Sequence, residues 1–438
     1  MPPSAVTRQP LLNRIFAPLH GIESTIGHTP LLRLTRLAQA LGRPELVLLG
    51  KLEAANPGGS TKDRPALRMV QEALHSGGLG PQSVLVESSS GNLAIGLAQV
   101  CAAMGLRLRV VVDPKITQSN LKILRAYGAE IDMVHSADPE TGEYLAARRK
   151  RVAHLVATLP GALNLNQYAN PANPAAHRDG TVAEILDALH NRLDWLIVSV
   201  STCGTLKGAR QAIDQRGLKT RILAVDAAGS VLFGQRGLRL LPGHGAGTVP
   251  EHMGPGLADA ATLVSDADCV AGCRALVATE AVLAGASAGG IVTAMQRLAH
   301  LWSDGMRVAA ILPDRGERYL DTVYDDDWCR RHLGAVPALT GLQPKPVRQA
   351  AEAERAEMAP GDPQAPGAPQ APGAAQTSRA SQAPGAPQAP RAPQAPKAPR
   401  APKAPEPSEP YKGPPPTPPH AARPTRPCRP RKTPTAAP

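Results

Sequence analysis

No run in this sequence is long and apolar enough to span a bilayer, and residues 1–20 carry no long apolar core behind a basic start. Membrane insertion and secretion are therefore not expected. Cysteine is scarce: Cys269 and Cys273 form a CxxxC pair with no second pair and no histidine at metal-ligand spacing. No metal is expected, and the thiols are expected to be reduced in a cytoplasmic protein. Aromatic residues reach only 3%, beside an unusual 46 prolines. Excess positive charge is missing from most of the chain. From Lys345 onward there are 14 Lys and Arg against 6 Asp and Glu, so eight of the twelve net positive charges sit in that C-terminal part. Before it, basic and acidic residues are interspersed, so a whole-chain pI of about 9.7 does not describe a nucleic-acid groove, and no nucleic acid partner is expected.

A hydrophobic fraction of 42% over 438 residues is enough for a large core. We read residues 1–20 as an N-terminal extension, 21–334 as one continuous enzyme-like region and 335–438 as a Pro/Ala-rich basic tail. In the tail, APQAPGAPQAP and APRAPKAP repeats offer almost nothing larger than alanine to a core, so it is expected to be disordered and polyproline-like. We read it as an inert solubilising extension; the alternative is a segment that binds a partner carrying aromatic grooves or an acidic surface, and that partner is unspecified. Apolar strand-like runs at Leu46–Leu49, Val84–Val86, Leu108–Val112, Glu130–Val134, Trp195–Val200, Leu223–Asp226 and Val308–Leu312 alternate with helical patterns. That alternation predicts an α/β fold with mostly parallel sheets covered by helices on both faces.

The segment Lys51–Arg64, KLEAANPGGSTKDR, places Lys62 behind a turn cluster and the N-cap types Ser60 and Thr61, just before a helical pattern. A lysine in a helix's first turn, near the positive end of the helix dipole, can be neutral and nucleophilic and can form a Schiff base; the alternative is a solvated surface lysine. Glu87–Leu97, ESSSGNLAIGL, is a strand, a Ser/Gly/Asn loop and a helix. Free backbone N–H groups at its helix start suit a substrate carboxylate, and Ser88 to Asn92 exceed what capping alone needs. Ser201–Gly208, STCGTLKG, repeats the pattern with small residues that let the backbone close on a phosphate, against a turn made only for packing. Asn164–Pro174 is a turn-rich loop whose Gln167 and Tyr168 can donate to a carboxylate. In the basic helix Thr141–Arg151, solvated charge is our reading for Arg149 to Arg151 and the alternative for Arg148. Ser287 sits at a helix start, where capping is equally available.

Asn56, Pro57, Ser60, Lys62, Asp63 and Arg64 resemble the lysine segment of the cysteine synthase and cystathionine β-synthase family, and Ser89–Leu93, Gln167–Tyr168, Ser201–Thr205 and Ser287 follow in that family's order and approximate spacing. The resemblance implies a fold-type II, tryptophan synthase β-like enzyme of two interleaved α/β domains, the smaller at about 55–165, using pyridoxal 5'-phosphate. It implies that Lys62 holds the cofactor and acts as base, that Asn92 lies beside the phenolic oxygen, and that Ser201, Thr202, Cys203, Gly204 and Thr205 take the phosphate. Ser287 would meet the pyridine nitrogen. Ser89, Ser90, Gly91, Gln167 and Tyr168 would bind substrate, with Arg148 and Ser201 as added anion contacts. Leu93 stands where common members have threonine, and Ser201 and Cys203 replace loop glycines. With DPKIT, NQYANPANP and DTVYDDDW, these departures resemble a branch that joins O-phospho-L-serine to L-glutamate on the route to 2,3-diaminopropionate. A homodimer is expected. The rival expectations are a cysteine synthase using O-acetylserine or O-phosphoserine with sulfide, and a non-catalytic scaffold acting through its tail.

Overall fold

The computed structural model describes residues 21–80 and 82–340. The expected N-terminal extension and the tail from residue 341 lie outside the described residues.

Ten strands form two sheets: β1 (Leu31–Arg33), β2 (Val47–Leu52), β3 (Val84–Ser88), β4 (Arg107–Val112), β5 (Glu130–Met133), β6 (Ala162–Leu163), β7 (Trp195–Ser199), β8 (Arg221–Ala227), β9 (Ala260–Val264) and β10 (Arg307–Leu312). The larger sheet has the order β1-β2-β10-β7-β8-β9 and the smaller β5-β4-β3-β6. Every pair is parallel except β1 with β2 at one edge. Parallel strands buried on both faces read as continuous apolar runs, and β3 and the interior of β10 do so with every residue from Val308 to Leu312 buried. Separate apolar clusters flank the sheets, Leu48, Ile197 and Val308 belonging to one side of the larger sheet and Leu196, Ile222 and Ala309 to the other.

The chain lays down β1 and β2, leaves to build the smaller sheet, then returns, and β10 closes against β2. That return matters for the site, because it sets the turn after β10 beside the lysine segment: Ser60 bridges Asp314, and Thr61 N–H donates to the Pro313 carbonyl at 2.7 Å. Ligand clefts in such sheets open where parallel strands end at their carboxyl termini.

Three details differ from the sequence reading. The edge strand β9 was not anticipated, since its half-exposed ATLV pattern lacks an apolar run. A π-helical stretch, His177–Val182, precedes the helix Ala183–Ala188. Chain packing also continues past the expected boundary at 334: after the helix Asp326–Leu333, Val336 and Leu339 pack on the large core and Gln296 Nε2 donates to the Thr340 carbonyl at 2.8 Å.

Candidate active site

Lys62 is the N-cap of helix Asp63–His75, one residue earlier than the first turn, and its side chain lines the cleft between the sheets. Burial is the leading cause that lowers its pKa, while Asp314 and Glu53 pull the other way. The helix-dipole argument is thus replaced by desolvation. Around the lysine the segment is held by an almost waterless ion network. Arg64 Nε and Nη2 grip Glu53 at 2.7 and 2.8 Å, and its Nη1 and Nη2 reach Glu184 at 2.6 and 2.8 Å. Lys51 Nζ adds a 2.6 Å contact to Glu184, and Asn56 Nδ2 donates to Glu53 at 3.0 Å. These cations hold Glu184 down at about 2 in spite of its partial burial. Asp63 accepts from Gly58 N–H at 2.5 Å, and burial raises it to about 7. Asn56, Asp63 and Arg64 therefore shape the segment, and Thr61 and Lys62 face the cleft.

Two strand ends, those of β3 and β7, and the start of helix Ala286–Leu298 supply the next walls. After β3, Ser89 Oγ accepts from Ala94 N–H at 3.3 Å, so this serine does cap its helix, while the Ser90 carbonyl accepts from Asn120 Nδ2 at 3.0 Å. Asn92 opens helix Asn92–Met104 with its amide fixed at both ends: Nδ2 donates to Asp314 Oδ2 at 2.8 Å and Oδ1 accepts from Arg318. After β7, Cys203 caps helix Gly204–Gln215 with a left-handed φ of 61°, a conformation that suits glycine better. Burial pushes its thiol up to about 12, so the thiol stays protonated and the contribution to an anion is backbone. Ser201 Oγ donates to the Gly245 carbonyl at 2.9 Å, and Thr205 Oγ1 lies 3.3 Å from His177 Nε2. Gly204 is not on the cleft wall; a Cβ there would sit 2.2 Å from Asn173 Oδ1, so it serves close packing. Ser287 lines the cleft, and Gly285, not Ser287, caps helix Ala286–Leu298.

On the opposite wall Arg148 lies with Gln167 and Tyr168. Its Nε is 3.1 Å from Asp113 Oδ2, an ion pair by distance without hydrogen-bond alignment. Arg149 is exposed, as expected, while its guanidinium also lies over the Tyr168 ring at 5.6 Å, and Arg151 pairs with Asp132 at 2.9 Å. Below this wall Glu87 accepts from Ser88 N–H at 3.0 Å and from Asn164 Nδ2 at 3.2 Å, and burial raises it to about 7.

One cleft of about 230 Å³ thus gathers every candidate residue but Gly204. Sequence reasoning missed Lys115, Asn120, Asp314, Arg318 and Tyr319, which share the cleft, and marked Ser88 only as part of the hydroxyl-rich run. For Asp314 a signal was present, since Pro313-Asp314 follows an apolar strand just as Ser88 and Ser201 do. Buried polar atoms without a hydrogen-bond partner cluster here: Thr61 Oγ1, Ser88 Oγ, Asn120 Oδ1, Arg148 Nε and Asp314 Oδ1. Such orphans are rare where nothing binds. A desolvated lysine, a helix N-terminus behind a hydroxyl-rich loop and free hydroxyls between them fit an aldehyde cofactor with a phosphate arm. Among the described residues no group of His, Cys, Asp and Glu could hold a metal ion, and no helix is long and apolar enough to cross a membrane.

Comparison with known proteins agrees with this geometry. Residues 22–314 match the family described as pyridoxal-phosphate dependent enzyme. A Cupriavidus metallidurans protein named N-(2-amino-2-carboxyethyl)-L-glutamate synthase is 44% identical over 337 residues, covering 74% of this chain and 98% of that relative. Its Ralstonia nicotianae namesake is 47% identical over 312 residues, covering 71% of this chain and 91% of its own. Among solved structures, O-ureido-L-serine synthase superposes with a TM-score of 0.65 at 32% identity, covering 70% of this chain and 96% of that one. The O-acetylserine dependent cystathionine β-synthase of Helicobacter pylori gives 0.64 at 27%, covering 70% and 99%. With the match spanning both sheets and the cleft between them, the chain belongs to the pyridoxal-phosphate dependent enzymes, in their fold-type II architecture.

Proposed function

We propose that this enzyme joins O-phospho-L-serine to L-glutamate by β-replacement, releasing phosphate and giving N-(2-amino-2-carboxyethyl)-L-glutamate, the first step toward 2,3-diaminopropionate for siderophore or peptide antibiotic synthesis. The observation that carries the reading is identity of 44 and 47% to two proteins of that name over nearly their whole length. The cleft supports it through an arginine, a tyrosine and a lysine on one wall, Arg148, Tyr168 and Lys115. A phosphate leaving group and a dicarboxylate nucleophile call for more such donors than sulfide does.

Pyridoxal phosphate, when bound, supplies the electron-withdrawing ring that makes the substrate α-hydrogen acidic and lets the β-substituent leave. The chain does the rest. Lys62 Nζ holds the cofactor, then takes the α-proton and later returns it. Backbone N–H groups of Ser89 to Asn92 carry the substrate α-carboxylate, with Gln167 beside them. Ser201, Thr202, Cys203 and Thr205, at the start of helix Gly204–Gln215, would hold the cofactor phosphate, Asn92 and Ser287 would set the ring, and Arg148 and Tyr168 would meet the substrate anions, the Ser201 hydroxyl proton being given to the Gly245 carbonyl. In the substrates, the Cβ–O bond of phosphoserine breaks with its electron pair leaving on phosphate, and the glutamate amine forms the new Cβ–N bond and loses a proton. We read residues 55–165 as the smaller subdomain of the site, and the protein as a cytoplasmic homodimer; a monomer mass by light scattering would remove the dimer.

The test gives the purified, cofactor-loaded enzyme phosphoserine with glutamate in one vessel and with sulfide in another, reading products by mass spectrometry. The glutamate adduct is expected in the first at the higher rate. Preference for sulfide, or no consumption of glutamate, would return the enzyme to the cysteine synthase reading.

A further inference from the structure

The turn after β10 brings to Lys62 a carboxylate that has no part in the chemistry described so far. Asp314 is 2% exposed. The Ser60 bridge and the Thr61 to Pro313 hydrogen bond fix its backbone against the lysine segment, and Gly285 N–H donates to its carbonyl at 3.0 Å. Oδ2 accepts from Asn92 Nδ2 at 2.8 Å and from Tyr319 Oη at 2.9 Å, while Oδ1 is buried, without a hydrogen-bond partner, against Gly285. Asn92 Oδ1 in turn accepts from Arg318, which also donates to the Gly58 carbonyl in the lysine turn. A carboxylate this deep costs several kcal/mol unless charge or hydrogen bonds answer it.

We propose that Asp314 is a positioning residue with two linked duties: it is the counter-charge for the protonated Lys62 nitrogen, and it turns the Asn92 amide so that the remaining Nδ2 hydrogen faces the cofactor ring.

The amide argument is one of counting. An Asn side chain has one acceptor oxygen and two N–H donors. Arg318 takes the oxygen and Asp314 one donor, so a flipped amide would set Oδ1 against the carboxylate and NH₂ against the guanidinium, and one donor is left for the cleft. The charge argument rests on proximity imposed by the backbone. Burial is the largest influence on both groups, raising Asp314 and lowering Lys62, and the two offset it for one another: Asp314 favours the protonated form of Lys62, and Lys62 with Arg318 favours the ionised form of Asp314. The other titratable groups facing the pair are Glu53, which also favours charged Lys62, and the neutral Tyr319 and Cys273, both pushed up by burial. His177, near enough to Lys62 to feel its charge, is held neutral by burial. The inference rests on the cofactor reading of the cleft and is independent of which nucleophile the enzyme uses.

The experiment titrates the visible absorbance of the bound cofactor against pH, with no substrate present, in the wild-type holoenzyme, Asp314→Asn and Tyr319→Phe. Asp314→Asn keeps size and removes charge, so the lysine nitrogen is protonated less readily and the midpoint moves to lower pH, by about one unit or more. Tyr319→Phe removes one donor from the carboxylate, which becomes easier to neutralise, and moves the midpoint the same way by less. Asp314→Glu, which restores the charge, returns the midpoint toward wild type. In turnover Asp314→Asn lowers kcat by about tenfold or more with a smaller change in KM. An unmoved midpoint in cofactor-loaded Asp314→Asn overturns the proposal, as does a midpoint that Asp314→Glu fails to restore. If Asp314→Asn does not retain cofactor, an unmoved or rising midpoint in Tyr319→Phe overturns it instead. A wild-type protein without a visible band would overturn the cofactor reading itself, and a normal titration with no glutamate adduct would overturn only the choice of substrate.

Discussion

The two walls of the cleft are built on opposite plans. On the lysine wall, Arg64, Lys51, Glu53, Glu184 and Asn56 answer one another at 2.6 to 3.0 Å, so the charges beneath Lys62 are compensated within the protein. On the substrate wall Ser88 Oγ and Asn120 Oδ1 are buried without hydrogen-bond partners, and Arg148 Nε meets Asp113 only as an ion pair without hydrogen-bond alignment; on the lysine wall the unpaired atoms, Thr61 Oγ1 and Asp314 Oδ1, belong to residues that line the cleft and not to the ion network. A closed network fixes a residue that must stay in one place through many turnovers. Open valences are what a wall needs if a ligand is to complete it on each turnover.

The largest effect expected is at the lysine itself. Lys62→Ala should lower turnover by about 10⁴-fold or more, and borohydride reduction followed by mass spectrometry should find no cofactor attached to the chain. Retained, reducible cofactor in this variant would displace Lys62 from its role. Next comes the network below. Arg64→Met leaves Glu53 and Glu184 facing each other without their shared guanidinium, a change that costs about 3 to 5 kcal/mol when a buried pair loses one partner. Urea unfolding should show that loss, accompanied by weaker cofactor retention. A stability within about 1 kcal/mol of wild type would mean that the network is not rigid and that the two walls do not differ as described.

How far the sequence reveals this plan depends on the distance over which each feature is assembled. Lys62, Ser89 to Asn92, Ser201 to Thr205 and Ser287 lie in runs where an apolar strand or helix end meets small and hydroxyl-bearing residues, so local chemistry exposes them. Asp314 meets Asn92 across 222 residues, and Arg64 meets Glu184 across 120. The first exists because β10 returns to pair with β2 and the second because the helix Ala183–Ala188 comes back to the lysine segment, and no local pattern announces either. The sequence assigns a neutral Lys62 to the helix dipole for the same reason, since the burial that lowers its pKa depends on a turn some 250 residues later. Arg148 was placed at the cleft, but not its buried partner Asp113.

That partner sharpens the next prediction. Arg148→Ala removes a cation from the substrate wall and leaves Asp113, 4% exposed, without it. Loss of a charge-assisted contact to a buried anion costs about 2 to 4 kcal/mol, or roughly 30- to 1000-fold in rate. The reaction of phosphoserine with glutamate should slow by that range while cofactor binding survives. Asp113→Asn separates the two duties of the arginine: it frees the guanidinium for substrate and should leave the rate much nearer to wild type than Arg148→Ala does. Equal damage from the two variants would make the pair a structural brace.

The smallest effect concerns the pH dependence of stability, and here one carboxylate from each wall, Glu184 and Glu87, should differ in sign. Glu184 on the lysine wall is held at about 2, below its ordinary 4.5. Its contribution is fully present above the unfolded pKa and is lost as pH falls from 4.5 toward 2, when the unfolded chain takes up the proton first. Glu87 on the substrate wall is raised from 4.5 to about 7 by burial. Between those values the folded protein holds a proton that the unfolded chain has released, so stability is complete below 4.5 and falls as pH rises through that window. The slope from one such group is at most about 1.4 kcal/mol per pH unit. Glu87→Gln keeps the hydrogen-bonding size and cannot ionise, so the difference in stability between wild type and variant should shift in favour of the variant by about that amount between about pH 5.5 and pH 6.5. Denaturant titrations at the two pH values measure it directly. A difference that does not change with pH would show that Glu87 is ionised throughout and that its hydrogen bonds from Ser88 and Asn164, with Arg148 nearby, outweigh the cost of its burial, making this wall as internally compensated as the one that carries Lys62.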